Sequence, residues 1–405
     1  MKIKLYCLTS ALVGIILLSG CWSNQELPDL ALVSAIGIDL EKDGRYTFTV
    51  QVINPGNVAG EGMQGTGGSE SPPVSTYTES GWNLTEINRK LSKKVSRHIY
   101  FAHTNLVVIS EKLAQEEGIM PVLDVLERDH EFRSSAQIVI SHQSDAEDIM
   151  KTLSSIDKVP ANKIINTMKS TEKVWGEHVS VSVRELIAKL VSPGEAPVVT
   201  TFHTIENQGE TLQSIQRTNP DGRLEAAGLA IFKKGKMVDM TTGEISKGIV
   251  WLLNKVKNTA VSVQWEGEKH AAVFDLIRQQ TKVSADVEKG GTVRMKVNVA
   301  AEGNVSEVQH PINLASPQAL NKMEQRVEET IKQSIMHAVD KAQELETDIL
   351  GFGEAVHRED PEKWKKWEDE WEESYFPEVQ VDVSADVFIR RTGLRDEPFH
   401  RYLTK

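Results

Sequence analysis

Residues Ser316–Ile349 read SPQALNKMEQRVEETIKQSIMHAVDKAQELETDI, and their pattern specifies the centre of the C-terminal half. A Ser at the N-cap followed by a Pro at the first helical position is a favourable helix start. Apolar residues then recur at spacings of three and four, at Leu320, Met323, Val327, Ile331, Ile335, Ala338, Ala342, Leu345 and Ile349. This spacing predicts one long amphipathic helix that covers a core and is interrupted at Gly351 and Gly353.

The segments around this helix predict the sheet that it covers. Apolar and polar residues alternate over 260–264, 270–286 and 292–302, and a last strand is predicted over 379–390. A hairpin over 226–240 and a helix over 243–253 precede these strands, and a charged helix over 361–373 follows the long one. We therefore predict a C-terminal domain over residues 220–400, with an antiparallel sheet packed by the long amphipathic helix.

The N-terminal region, residues 21–215, has a different pattern. Residues 30–53 predict a β-hairpin, and a Gly- and Ser-rich loop follows over 56–73. Strands predicted near 75–78, 105–110, 136–141 and 198–206 then alternate with helical segments, which is typical of an α/β layer, parallel or mixed. The pattern allows two subdomains, the hairpin 30–53 with the strand 198–206, and an α/β unit over 75–190. The predicted fold class is thus α+β or mixed α/β, with several domains.

Composition excludes several classes of protein. The chain has 405 residues, of which 40% are hydrophobic and 26% charged, so it is globular and not disordered. Its formal net charge of −12 argues against a general attraction to nucleic acid. The two cysteines, Cys7 and Cys21, both lie near the N-terminus, so the body after Cys21 can form no disulfide and no cysteine–metal site.

Residues 1–20 have the pattern of a lipoprotein signal peptide. Lys2 and Lys4 precede an apolar run of 14 residues, which suits a signal-peptide core but is too short to span a bilayer. The run ends in Leu18-Ser19-Gly20-Cys21, which looks like a bacterial lipobox. We expect a diacylglyceryl group on the sulfur of Cys21 and an acyl group on its amine after cleavage, because two chains hold a protein stably at a membrane. Removing the leader would change the net charge from −12 to −14.

No motif in the chain predicts catalysis, a metal or a cofactor. Gly60-Glu61-Gly62-Met63-Gln64-Gly65 matches G-x-G-x-x-G, but the prolines that follow cannot open the helix that a dinucleotide site requires. His98, His103 and His130, with Glu131, have no recognised metal-ligand spacing and are interpreted as ordinary solvated or core side chains. Asp348 and Glu354 have no sequence support as an acid pair.

Three tryptophans, Trp364, Trp367 and Trp371, recur at helical spacing. A single helix face would carry all three rings. They could form a docking or membrane-interface stripe, but we favour core packing of a charged surface helix.

Blocks of the sequence, in order behind the lipobox, resemble the Ger(x)C family, the lipoprotein subunits of spore germinant receptors. The N-terminal signature is similar at Cys21-Trp22-Ser23, Glu26-Leu27, Leu30–Val33 and Ile36–Asp39, and a second block at Arg97–His103, Gly118–Asp124 and Arg128–Arg133. The C-terminal domain is similar at Ala227–Phe232, Gly248–Leu252, Asp348, Phe352-Gly353, Pro361, Trp364, Trp371, Phe376 and Ile389–Gly393. The insertion at 56–73 looks longer than the family's usual connection.

The resemblance implies a non-enzymatic, exported protein, anchored through Cys21 at the outer face of the cell membrane or spore inner membrane. It implies a nutrient receptor complex with an A subunit and a B subunit, and a fold that mixes helices and sheets. The alternative is a substrate-binding lipoprotein of a transporter, which usually has two similar lobes around a cleft; here the predicted halves look unlike. An exported hydrolase is a third alternative, without a recognisable nucleophile, metal set or acid pair.

Overall fold

A computed structural model describes residues 26–58, 72–205, 223–288, 291–309 and 312–392, together with residues 211, 213, 216 and 218. The strands are β1 Leu30–Leu40, β2 Tyr46–Ile53, β3 Val74–Gly81, β4 His98–Tyr100, β5 Leu106–Ser110, β6 Gln137–Ser141, β7 Val198–Ile205, β8 Arg223–Lys233, β9 Lys236–Thr241, β10 Ala260–Trp265, β11 Glu268–Val287, β12 Val293–Val308 and β13 Gln380–Arg391.

The helices alternate with strands in the first half and dominate the end of the chain. They are α1 Pro55–Val58, α2 Leu84–Leu91, α3 Glu111–Glu116, α4 Met120–Arg128, α5 Ala146–Lys151, α6 Pro160–Val174, α7 Val183–Val191, α8 Gly243–Leu252, α9 Pro317–Glu344, α10 Phe352–Glu359 and α11 Pro361–Trp367. Within the described ranges, no helix is both long and apolar enough to cross a bilayer.

The larger sheet has the order β3-β2-β1-β5-β6-β7-β8-β9, with β4 beside β1. Its centre, β1-β5-β6-β7, is parallel, and the flanking pairs are antiparallel. All five residues of β5 are buried, as expected for a parallel strand covered on both faces. The predicted hairpin 30–53 and the mixed α/β layer are confirmed.

The boundary predicted near residues 216–222 falls between β7 and β8, and these strands are antiparallel neighbours in the larger sheet. The hairpin β1–β2 and the strands of residues 75–190 also lie in this sheet. The division into domains and subdomains stays a prediction, to be tested by expressing the halves separately.

The smaller sheet has the order β10-β11-β12-β13. In β12, buried and exposed residues alternate through most of the strand, so one face packs on a core and the other meets solvent. The three strands β10 to β12 are antiparallel as predicted, but β13 runs parallel to β12. The reason is that α9 carries the chain back along the sheet before β13 begins, as in any β–helix–β crossover.

The long helix α9 packs against the smaller sheet and against α8. Its N-cap is Ser316, whose hydroxyl accepts the N–H of Ala319, and its buried residues include Met323, Val327 and Ile331. Two of its carboxylates also reach the edge strand: Glu328 accepts the N–H of Val387, and Glu324 that of Ile389. These bonds occupy donors that an added strand would otherwise use.

The last helical segments differ from the sequence prediction. The long helix was predicted to run to Ile349, but α9 ends at Glu344. The reason is that Glu346 adopts a left-handed conformation (φ 48°) and turns the chain. Ile349 is still buried, in the turn, which is why its spacing continues the helical pattern. The helix predicted over 361–373 divides into α11 and a π-helical turn at Trp371–Tyr375.

Helix α8 approaches α9 so closely that only a glycine fits at the contact. A Cβ built on Gly248 would lie 2.0 Å from the carbonyl oxygen of Ser334 and 2.9 Å from the Cβ of Ala338. The serine hydroxyl also donates to Glu244 of α8. Since α8 follows β9 and α9 packs on the smaller sheet, this contact joins the two sheets.

We expect Gly248→Ala to destabilise the protein by about 1–3 kcal/mol, because overpacking outweighs the helix propensity that alanine gains. Thermal unfolding of the full chain measures the effect. Gly56→Ala is the matched control: Gly56 is also helical, a Cβ added there would have nothing within 4 Å, and its midpoint should stay unchanged or rise. Equal midpoints for the two variants would contradict the close approach.

Candidate functional site

The predicted lipidation residue, Cys21, lies outside the described residues, which begin at Glu26. The glycine-rich match at residues 60–65 lies outside them as well. Lipidation at Cys21 therefore stays a prediction.

A cleft of about 690 Å³ opens between α2, α4 and the two segments 97–101 and 128–132. Its floor is apolar, with Ile38 from β1 and Phe48 from β2, and the ring of Phe48 lies 6.4 Å from that of Phe101. A concave site with an apolar floor and a few polar groups at the rim is the usual form of a binding site. No motif in the sequence predicted this cleft.

Three arginines line the cleft: Arg89, Arg97 and Arg128. The Arg128 guanidinium is paired with Asp124, at 2.8 Å and 3.0 Å, one helical turn away. Within the described residues, Arg89 and Arg97 have no carboxylate partner, so their guanidinium groups are available to an anion.

The carboxylates of the cleft are held by local donors. Asp129 accepts the N–H of Glu131 at 2.8 Å, and Glu131 lies 3.5 Å from the Nε2 of His98. His130 lines the cleft, and His103 packs its ring 6.0 Å from that of Tyr100. The histidines singled out in the sequence thus lie at a rim (His98, His130) and in an aromatic contact (His103).

Asp348 and Glu354 do not form an acid pair. Asp348 is fully buried and accepts the N–H groups of Leu350, Phe352 and Gly353 and the indole N–H of Trp371. Burial raises its pKa to about 6, although the four donors oppose the shift. Glu354 is partly exposed and lies 3.8 Å from His357. The bonds that Asp348 accepts indicate that its role is to hold the turn and the start of α10.

The interpretation of the tryptophans as core residues is confirmed for Trp364 and Trp371, which are each 1% exposed with ring centroids 5.4 Å apart. Trp367 is half-buried and stacks on Tyr375 at 4.8 Å. Because α11 ends at Trp367, the three rings do not form one continuous helix face.

Strand β1 carries a second buried carboxylate, Asp39, which accepts the N–H groups of Ala146 and Glu147 at the start of α5. Burial, with the nearby charges of Asp145 and Glu147, raises its pKa to about 7. Two residues earlier, a Cβ on Gly37 would lie 2.5 Å from the sulfur of Met150, so α5 packs closely on the strand.

Both halves of the chain are similar to known spore germination proteins. Residues 23–204 match the family model described as spore germination protein N-terminal domain, and residues 227–393 match spore germination B3/GerAC like, C-terminal. Spore germination protein KC of Bacillus subtilis (strain 168) is 42% identical over 96% of this chain and 95% of its own. The chain belongs to the GerAC-like family of spore germination proteins.

Other relatives in this family are more distant. The putative spore germination protein YfkR of the same organism is 28% identical over 97% of this chain and 98% of its own. The solved structure titled crystal structure of the GerBC protein covers 88% of this chain and 96% of that one, with a TM-score of 0.54 and 17% identity, which shows a shared fold. The resemblance read from the sequence blocks and the mixed, multi-domain fold class are confirmed.

The cleft brings together two segments that carried the resemblance to the family, Arg97–His103 and Arg128–Arg133. They are separated by 24 residues of the chain and meet because β4 lies beside β1 while α4 ends above it. One feature of the sequence could have indicated this site: residues 88–110 include no Asp or Glu. The negative net charge of the whole chain does not reveal this local feature.

Asp348→Asn should destabilise the protein by about 2–4 kcal/mol, because an amide nitrogen would face two buried N–H donors and leave them without an acceptor. Urea unfolding of the full chain measures the change in the unfolding midpoint. Glu354→Gln is the control and should change stability by less than about 0.5 kcal/mol, as expected at the surface. A small effect at both positions would contradict the structural role of Asp348.

Asp39 should make stability fall as the pH rises from about 4 to about 7. Its pKa is raised on folding, so the folded state holds a proton that the unfolded state releases near pH 4, and that advantage is lost through the folded pKa of about 7. Asp39→Asn removes this titration, and its unfolding midpoint should therefore depend less on pH across this range. Parallel pH profiles for the wild type and the variant would refute the assignment.

Proposed function

We propose that this protein is a lipid-anchored subunit of a nutrient germinant receptor, required for spore germination and acting through contacts with other proteins. The observation that carries the proposal is the full-length match to germination proteins, through both family models in order. Spore germination proteins A3 and B3 also match the sequence of this chain over nine-tenths of its length or more. The proposed partners are the A and B subunits of the same receptor.

The lipobox supports an anchor at the outer face of the cell membrane or spore inner membrane. Export by the leader would place the chain outside the membrane, and acylation of Cys21 would hold it there. The body after Cys21 contains no other thiol, so acylation would consume the reactive sulfur of the mature chain.

The structural roles of the buried carboxylates Asp39 and Asp348 support a role without catalysis. Asp39 and Asp348 have the raised pKa values that often mark catalytic groups, but both accept N–H bonds that hold loops and helix starts. Neither lines the cleft, whose polar lining includes arginines, histidines, neutral polar side chains and the carboxylates of Asp129 and Glu131.

The transporter-binding alternative has less support from the fold. A binding protein of that kind usually has two similar lobes, whereas the two sheets of the described chain differ. One has a parallel centre with helices on both faces, and the other is a four-stranded sheet beside one long helix.

The proposal predicts that spores lacking this protein lose their response to one class of nutrient germinant. Deletion spores carrying the wild-type sequence or Cys7→Ala should respond normally, because Cys7 leaves with the leader. Cys21→Ala should behave like the deletion, because the unacylated protein is not retained at the membrane. Germination is followed by the fall in optical density over a panel of amino acids, nucleosides and sugars, and retention by membrane fractionation.

Full membrane retention and a normal nutrient response with Cys21→Ala would refute the lipid anchor. Deletion spores that respond normally to every nutrient of the panel would refute the receptor role.

A further inference from the structure

The rim of the cleft belongs to the most basic part of an acidic protein. Residues 88–110 contain five cationic side chains and no carboxylate, in a chain whose formal net charge is −12. Two of the five are neutralised: Lys90 pairs with Glu86 at 2.8 Å, and Lys94 with Glu79 at 3.1 Å. The other three, Arg89, Lys93 and Arg97, form what we call the basic surface.

The basic surface is exposed and free of carboxylate partners among the described residues. Arg89 and Arg97 lie at the rim of the cleft, and Lys93 lies in the turn that follows α2. Arginine guanidinium groups bind phosphate through two parallel hydrogen bonds, and a lysine ammonium binds it as a point charge. The three side chains therefore suit a surface that presents several phosphates.

The location of the basic surface relative to the N-terminus indicates which phosphates it meets. Residue His98, next to Arg97, is the direct partner of Leu30, the first residue of β1. The described chain begins at Glu26, five positions after Cys21, a reach of at most about 18 Å when extended. Leu27, between the anchor and β1, is 68% exposed and suited to contact with lipid.

We propose that the basic surface binds the phosphates of anionic phospholipids in the membrane to which Cys21 is anchored. This inference rests on the proposed lipid anchor and goes beyond it: the acyl chains hold the protein, and the basic surface fixes which side faces the bilayer. The rest of the protein is acidic and is repelled by an anionic surface, so the attraction acts only where this patch comes within a Debye length of about 8 Å.

The test uses the full lipidated protein in vesicles of phosphatidylcholine, with or without phosphatidylglycerol. Ser96→Cys introduces the only free thiol of the mature chain, since Cys21 is acylated and no other cysteine follows it. A fluorophore on this thiol reports contact with a quencher carried by the lipid headgroups. The matched label is Lys42→Cys, in the turn at the opposite end of β1, a strand about 33 Å long.

We expect the fluorophore at position 96 to be quenched in vesicles with phosphatidylglycerol and the fluorophore at position 42 to remain unquenched. The triple variant Arg89→Gln, Lys93→Gln, Arg97→Gln should shift the equilibrium between docked and undocked protein by about 100-fold, at about fivefold per cation. High salt should have the same effect. The control variant Lys169→Gln, Lys173→Gln, Lys366→Gln removes three exposed charges elsewhere and should leave quenching unchanged.

Equal quenching at position 96 with and without phosphatidylglycerol would overturn the proposal, as would quenching that survives the triple substitution. Germination lost in the triple variant with unchanged quenching would assign the basic surface to a protein partner instead. Vesicle flotation separates the anchor from the surface. Protein that does not float with vesicles of phosphatidylcholine alone would contradict the lipid anchor. If that protein floats with vesicles containing phosphatidylglycerol only while the three cations are present, lipid binding by the basic surface is supported. If it does not, lipid binding by the basic surface is refuted.

Discussion

The buried carboxylate of Asp348 accepts four hydrogen bonds that connect distant parts of the C-terminal half. Three bonds come from backbone N–H groups, one in the turn after α9 and two at the start of α10, and the fourth comes from the indole of Trp371, 23 residues later. The carbonyl of Asp348 accepts the N–H of Ala196, just before β7 of the larger sheet. A single residue thus connects the end of the long helix, the tryptophan cluster and the N-terminal half.

Close backbone contacts reinforce this junction. Gly194 and Gly353 lie against each other, and a Cβ on Gly353 would lie 2.5 Å from the Cα of Gly194 and 2.6 Å from the ring of Trp364. Further along, Gly248 allows α8 to lie on α9. Because these contacts involve backbone atoms and rigid rings, the two sheets are held in one arrangement by packing that tolerates little change in volume.

The same architecture is compatible with the membrane contact that we propose for an acidic protein. Strand β1 begins beside β4, so the chain enters the fold next to the most basic segment of the sequence. An electrostatic contact with lipid is weak for each residue, but a tether that keeps the patch near the surface makes the contact intramolecular. The proposed orientation would leave the remaining faces of the protein available to partner subunits.

Elements with a local signal could be predicted from the sequence alone. The stripe from Leu320 to Ala342 follows from helix periodicity, and the strands on either side follow from alternation. The lipobox and the family resemblance also depend on short contiguous blocks. Tertiary contacts were needed to establish that β13 is parallel to β12 and that β8 and β9 join the larger sheet. They were also needed to place Arg89 and Arg97 in one cleft with Arg128. These features depend on contacts between residues far apart in the chain, and no local periodicity specifies which distant segments will pair.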